Sequence, residues 1–302
     1  MPELPDVTVY RERLEATVTG RLLLALDVRV PFTLRTVEPE PAALSGTVAS
    51  GVRRLGKRLV LGFSPDLFVV IHLMIAGRLR WRAPGARGPA GNAVAVFLFE
   101  HGNLWLTEAS RKKRAAIHIV RGEAALGEFD RGGLEVLDAD RDAFAEALRR
   151  ENRTLKRALT DPRLFSGIGN AYSDEILHRA RLSPVRLTRK LDDDEVARLH
   201  ESTRDTLVEW TERLRAEVGG GFPEKVTAFR PEMAVHGRYR EPCPDCGAPV
   251  QRIRYASNEC NYCARCQNAG RLLADRGLSQ LMKQDWPKTL EELEERRAPP
   301  SA

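Results

Sequence analysis

The chain has 302 residues, 42% of them apolar, enough for about two packed domains and too much for a disordered or fibrous polymer. Lysine and arginine number 48 against 42 acids, a formal charge of +6 that favours polyanionic partners. No run approaches the roughly 18 uninterrupted apolar residues of a membrane span, and no basic and apolar leader is present, so a cytoplasmic protein with no membrane partner is expected.

The chain opens MPELPDVTVY. Pro2 is small enough to permit removal of the initiator Met1, which would leave a terminal proline with a free secondary amine. A helix is expected over 6 to 19, capped by Asp6, striped by Val7, Tyr10, Leu14 and Val18, and stopped by Gly20. Short β-rich runs follow at 22 to 30, 58 to 63, 67 to 72, 93 to 99 and 115 to 120, separated by turn residues, which is the pattern of a β-sandwich. Near residue 125 the texture changes: GEFDRGGLEVLDADRD is rich in Gly, Asp and Arg and reads as a linker. From about 140 to 218 the period is helical, in the segments DAFAEALRR, RTLKRALT, AYSDEILHRA and DEVARLHESTRDTLVEWTERLRAEV, closed by glycines 219 to 221. A cysteine-rich module and a charged amphipathic tail complete the chain, and no internal repeat is apparent.

All five cysteines lie between 243 and 266, too local for a disulfide framework. Cys243 and Cys246 enclose two residues, Cys263 and Cys266 enclose two more, and sixteen separate the pairs. Four thiolates at this spacing supply a closed tetrahedral site for one structural zinc ion, with no open position for catalysis. Cys260 breaks neither pair and reads as a free thiol, close enough for ligand exchange. The stretch FSGIGNAYSDEIL places Gly167 and Gly169 in a turn ahead of a helix starting near Asn170. Such a turn either just joins two helices or presents helix amides to a phosphate. The basic residues Arg149, Arg150, Arg153, Lys156 and Arg157 upstream tip the reading toward phosphate.

In this order, MPELPD, LGKRL around Lys57, HLMIAGRL from His72, LKRAL through GIGNAYSDE, and HGRYREPCPDCG continuing to YCARCQ resemble the Fpg/Nei family of DNA glycosylases, over roughly residues 1 to 270. The resemblance implies an α+β multidomain fold: a β-sandwich with a leading helix (1–125), a linker (126–139), a helix-two-turn-helix DNA-binding domain (140–235), a four-cysteine zinc finger (236–270) and a helical extension (271–302). DNA would lie in the cleft between the halves. It implies a bifunctional base-excision enzyme in which Pro2 is the nucleophile, Glu3 the proton donor and Lys57 a phosphate contact that assists proton transfer. A terminal amine suits the task, since its ordinary pKa of about 7.7 to 8.0 leaves a useful unprotonated fraction at neutral pH. His72 and Asn170 would be further phosphate contacts, with Lys156 and Arg111 also on DNA. The bare alternatives are a helix-start acid for Glu3 and a strand-end charge for Lys57.

Damaged bases must leave the stack before they are cut out. Where many relatives carry a methionine wedge, this chain has Ile75, still apolar enough to insert. The loop TEASRKKRAAI has Arg111, Lys112, Lys113 and Arg114 but no phenylalanine, so contact with the opposite strand is expected to be electrostatic. Asn258 stands where the family's finger arginine is common, which shifts phosphate clamping to Arg252 or Arg254. The segment FPEKVTAFRPEMAV is shorter than the loop with which the Fpg branch covers 8-oxoguanine, which argues against a dedicated 8-oxoguanine role. In the tail, Leu272, Leu273, Leu278, Leu281 and Met282 are expected to pack a helix back onto the protein. The reading is a monomeric DNA glycosylase and abasic-site lyase for oxidised or ring-opened bases, cleaving by β/δ-elimination. Its rivals are a non-catalytic binder of damaged or structured DNA on the same scaffold and, more remotely, a zinc-dependent nucleic-acid adaptor.

Overall fold

The computed structural model describes residues 1–255 and 258–296. Helix α1 runs Leu4–Val18, two residues earlier than the sequence suggested. Glu3, not Asp6, is the cap: Asp6 is the third helical residue, and its carboxylate accepts the Glu3 N–H at 3.0 Å. Pro5 sits in the first turn, where a missing N–H costs no helical bond. Val7, Tyr10, Leu14 and Val18 are all buried, and Gly20 takes the positive φ that ends the helix.

Eight antiparallel strands follow: β1 Leu22–Val28, β2 Thr47–Leu55, β3 Arg58–Phe63, β4 Leu67–His72, β5 Gly77–Arg82, β6 Ala93–Phe99, β7 Gly102–Glu108 and β8 Ala116–Arg121. Their order is β5-β7-β6-β1-β2-β3-β4-β8. Strands β1 and β2 meet only at Leu22↔Val48 and Leu23↔Thr47, so the ladder folds there into two four-stranded layers. Leu26, Phe97 and Leu106 of one layer share a core with Leu61, Ile71 and Ile117 of the other, and α1 adds Val7 and Leu14 to it. This is the expected sandwich, completed by three strands, β2, β5 and β7, that the sequence reading did not mark. A 3-10 helix, Glu123–Phe129, follows β8 at the edge of the expected linker.

The helical region contains α2 Arg141–Arg149, α3 Leu155–Thr160, α4 Asn170–Arg179 and α5 Asp193–Val218, each close to its expected place. Asp140 caps α2 by accepting from the Ala143 N–H at 2.8 Å. The cysteine module is a hairpin, β9 Gln251–Arg254 and β10 Glu259–Tyr262, followed by α6 Ala264–Asn268; α7 Arg276–Met282 and α8 Leu290–Glu295 lie in the tail. Two compact units result, residues 1–132 with 208–228, and 133–207 with 229–296 among the described residues. The tail packs through two of the five residues expected. Leu272 and Leu273 join the finger core with Leu290, whereas Leu281 is 81% exposed and Met282 is exposed as well, because α7 turns that face outward. The side chain of Leu278 lies outside the described residues.

Candidate active site

The start of α1 builds the first cluster. Pro2 and Glu3 are both buried, Glu3 to 2% exposure. Met1 is present in this chain, so the terminal amine is Met1's, one residue ahead of the Pro2 nitrogen that its removal would free. Burial is the largest influence on that amine and holds its pKa below 8.0; Glu3 and Asp6 oppose the shift, and Arg78 and Lys57 add to it. Lys57 is placed by a two-residue hairpin turn between β2 and β3, in which Gly56 supplies the φ of +61° required at the first turn position. The register then sets Arg58 opposite His72. Desolvation, followed by Arg58, Lys57 and His118, pushes the His72 imidazole down to about 4, so it is neutral near pH 7. His72 is therefore available as a neutral hydrogen-bond partner.

Ile75 projects from the turn between β4 and β5 with 57% of its surface exposed. Met74 has a φ of 52°, and the Gly77 N–H closes the turn on the Leu73 carbonyl at 2.9 Å. Gly77 is obligatory, since a Cβ there would stand 2.2 Å from the Leu73 oxygen. The loop between β7 and β8 is organised by Glu108, a buried acid that sequence reasoning passed over. Its carboxylate accepts the Arg114 and Ala115 N–H groups at 2.8 and 2.9 Å, and its carbonyl accepts from the Lys113 ammonium. Arg111, Lys112 and Arg114 are exposed around that turn.

In the helical unit, Gly167 has a φ of +79° and Gly169 caps α4 in an extended conformation, as the turn reading requires. Asn170 begins α4, and its amide donates to the Glu259 carbonyl at 2.8 Å. Lys156 departs from the expectation of a DNA contact: it is 6% exposed, and its ammonium donates to Asp174 at 2.5 Å and to the Asn170 carbonyl at 2.6 Å. The other Asp174 oxygen accepts from His236 Nδ1 at 2.8 Å and the Asn261 N–H at 3.1 Å. Glu175 receives the N–H groups of Ala234, Val235 and His236. The basic run is largely consumed too: Arg149 pairs with Asp193 and Arg153 with Asp161, while Arg157 is exposed. Arg252 is half-buried over the Tyr239 ring at 4.2 Å, which leaves the exposed Arg254, near the exposed Asn258, as the freer cation of the hairpin.

The four sulfurs of Cys243, Cys246, Cys263 and Cys266 lie within 4.8 Å of one another. Cys243 and Cys266 are 3.9 Å apart and Cys246 and Cys263 3.4 Å, close to the about 3.8 Å that a tetrahedron with zinc–sulfur bonds near 2.3 Å demands. The donor set fits zinc as expected, and His178 adds a contact from its Nε2 to the Cys243 sulfur at 3.2 Å. Cys260 is buried outside this cluster, and burial pushes its thiol up, so it is a packing residue.

Known proteins match both halves of this arrangement. Residues 1–115 match the formamidopyrimidine-DNA glycosylase N-terminal domain and residues 134–217 the H2TH domain of formamidopyrimidine-DNA glycosylase. A formamidopyrimidine-DNA glycosylase of Pelotomaculum thermopropionicum is 32% identical over 280 residues, covering 88% of this chain and 99% of that one. The chain belongs to the formamidopyrimidine-DNA glycosylase family. The Thermus thermophilus glycosylase is 33% identical over 285 residues, covering 89% of this chain and 100% of its own. Among solved structures, Lactococcus lactis Fpg with abasic-site DNA is similar at 26% identity and a TM-score of 0.77, covering 88% of this chain and 99% of that one. The same enzyme with DNA containing Fapy-dG reaches a TM-score of 0.78 at 26% identity, over 88% and 100% of the two chains. The family is one of DNA glycosylases with abasic-site lyase activity, and the four-cysteine cluster is typical of its zinc finger. No helix among the described residues is long and apolar enough to cross a membrane.

Proposed function

We propose that this chain removes oxidised or ring-opened bases from DNA and cuts the strand at the resulting abasic site, with Pro2 as nucleophile once Met1 is removed. It would act as a monomer in the cytoplasm on damaged DNA. The observation that carries the reading is the buried Pro2–Glu3 pair at the start of α1, next to a Met1 amine that burial holds below its ordinary pKa. Burial disfavours the charged form of an amine, so a Pro2 nitrogen freed in that place would keep its lone pair at neutral pH. That pair attacks C1′ of an extruded nucleotide, the C1′–N bond to the base breaks, and its electrons leave with the base, which takes up the proton that the Pro2 ammonium loses. The Glu3 carboxyl gives its proton to the ring oxygen, the sugar opens, and an iminium forms between Pro2 and C1′. The iminium acidifies C2′–H; loss of that proton expels the 3′ phosphate, and a second elimination expels the 5′ phosphate. Lys57 and neutral His72 hold the phosphate beside the lesion, and Asn170 and Arg111 engage the backbone from their own elements. Ile75 fills the space the nucleotide leaves. The four cysteines would hold a zinc ion, whose contribution is to fold the hairpin that carries Arg254 and Asn261.

Borohydride trapping on a duplex with an abasic site tests this, with Met1 removal checked by intact mass. The wild type is expected to give a covalent protein–DNA adduct that is lost in Pro2→Gly. Glu3→Gln is expected to release a damaged base about a hundredfold more slowly, the usual scale for losing a general acid. Tight binding with no adduct from a protein that begins at Pro2 would instead identify a DNA-binding protein.

A further inference from the structure

The cations that face residues 222–228 are treated differently by the fold. Arg78, Arg80 and Arg82 alternate along the edge strand β5 and so share one face of it. Glu224 neutralises Arg80 and Arg82, with contacts of 2.7 and 2.6 Å. Arg78 meets no carboxylate among the described residues. Its Nε donates to the Val226 carbonyl at 2.6 Å, and its Nη1 donates to the carbonyls of Ile75 at 3.1 Å and Gly77 at 2.7 Å. One guanidinium thus joins the tip of the β4–β5 turn to a segment whose Phe222 and Val226 pack on the sandwich core.

We propose that Arg78 is a positioning residue for strand opening, a brace that holds Ile75 upright against the thrust of the base stack. The proposal rests on the glycosylase reading above, with Ile75 as the wedge. A side chain that displaces a stacked nucleotide must resist the unstacking cost, and the backbone closes the turn with the Gly77 N–H on the Leu73 carbonyl, to which Arg78 adds its two bonds to the Ile75 and Gly77 carbonyls. Hydrogen bonds from a charged donor are the stronger kind, and the planar fork of arginine fixes direction as well as distance. Residues 222–228 serve here as an anchor for the wedge turn rather than as a closing cover. That use also accounts for a segment too short to fold over a base.

The test separates opening from chemistry. Trapping rates are measured on an abasic site in duplex and in single-stranded DNA, for the wild type, Arg78→Met and Arg78→Lys. 2-Aminopurine opposite the site reports the displaced partner base during binding. Arg78→Met is expected to lower the ratio of the duplex to the single-strand trapping rate about tenfold, equivalent to about 1.4 kcal/mol, whatever it does to the chemistry common to both substrates. The aminopurine signal should shrink with it. Arg78→Lys keeps the charge but cannot hold carbonyls on both sides, so it should behave like Arg78→Met. An equal fall on both substrates, or full rescue by lysine, would overturn the brace. If the wild type itself gives no adduct, the nucleophile reading fails, and the aminopurine signal alone still decides whether Arg78 supports opening.

Discussion

The pocket around the terminal amine and the polar knot around Asp174 are both buried, yet they handle charge in opposite ways. In the knot every ionic group has its complement: Asp174 is met by Lys156, His236 and the Asn261 N–H, and Glu175 by three backbone N–H groups. Around the terminal amine, burial outweighs the carboxylates of Glu3 and Asp6, with a smaller push from Arg78 and Lys57, and burial also keeps His72 neutral. A fold that needs only to cohere pairs its buried charges, whereas burial that is not offset by pairing keeps an amine or an imidazole neutral and its lone pair free. The difference fits the knot as architecture and supports the proposal that the amine cluster is where chemistry occurs, although both are assembled from residue types that looked functional in the sequence.

The largest effect expected from this contrast is at Asp174. Asp174→Ala leaves the Lys156 ammonium buried without its carboxylate, which costs about 3–5 kcal/mol of stability in comparable cases. The companion double variant Asp174→Leu with Lys156→Met removes both charges and should recover most of the loss in a denaturant titration of the zinc-loaded protein. If Lys156 served DNA rather than Asp174, the single variant would instead bind DNA normally or better and unfold at the wild-type midpoint.

How much of this was legible beforehand depends on where each residue's partner lies along the chain. Strands β3, β4 and β6 could be read to the residue because they are unbroken apolar runs buried on both faces. Strands β2 and β5 lack such an apolar run, since arginines interrupt them, although GRLRWR alternates perfectly and that period was the signal available. The cysteine site was legible because its ligands come as two local pairs at fixed spacing; Pro2, Glu3 and Lys57 were singled out only because a family pattern names them. The fate of Lys156 was not, since Asp174 lies 18 residues away and the His236 that shares it lies 62 residues further on from Asp174. Arg78 was hidden for the same reason: its anchor, Val226, is 148 positions distant. Charge in a sequence shows that a partner is needed, and only the fold shows whether the protein or its ligand supplies it.

A second, smaller effect follows from the neutral His72. Its pKa in the folded chain is about 4 against an ordinary 6.5, so between those values the unfolded chain binds the additional proton. Stability is therefore full above pH 6.5 and falls as the pH drops toward 4, by at most about 3 kcal/mol for a shift of this size. His118, also held low by burial and by Arg58 and Arg35, adds a smaller slope of the same sign. Denaturant titrations at a series of pH values should show the decline, and His72→Gln should flatten it. A slope of the opposite sign would mean that His72 is charged in the folded protein and that a carboxylate, not Arg58 and Lys57, governs it.

The smallest effect separates two arginines of the same basic run. Arg149 is paired with Asp193 at the surface, while Arg157 is exposed, with no partner for its guanidinium among the described residues. Removing one cation that neutralises a phosphate lowers the slope of log affinity against log salt by about 0.9, because one condensed counterion fewer is released. Arg157→Ala should thus weaken binding across all sequences and reduce the slope by about that amount, without moving the unfolding midpoint. Arg149→Ala should change the slope less, since Asp193 already occupies its charge and an exposed ion pair adds little to either stability or binding. Equal slopes for the two variants would mean that DNA displaces Asp193 from Arg149 at no cost. Charge compensation would then distinguish functional from architectural cations only where the pair is buried, as it is at Lys156.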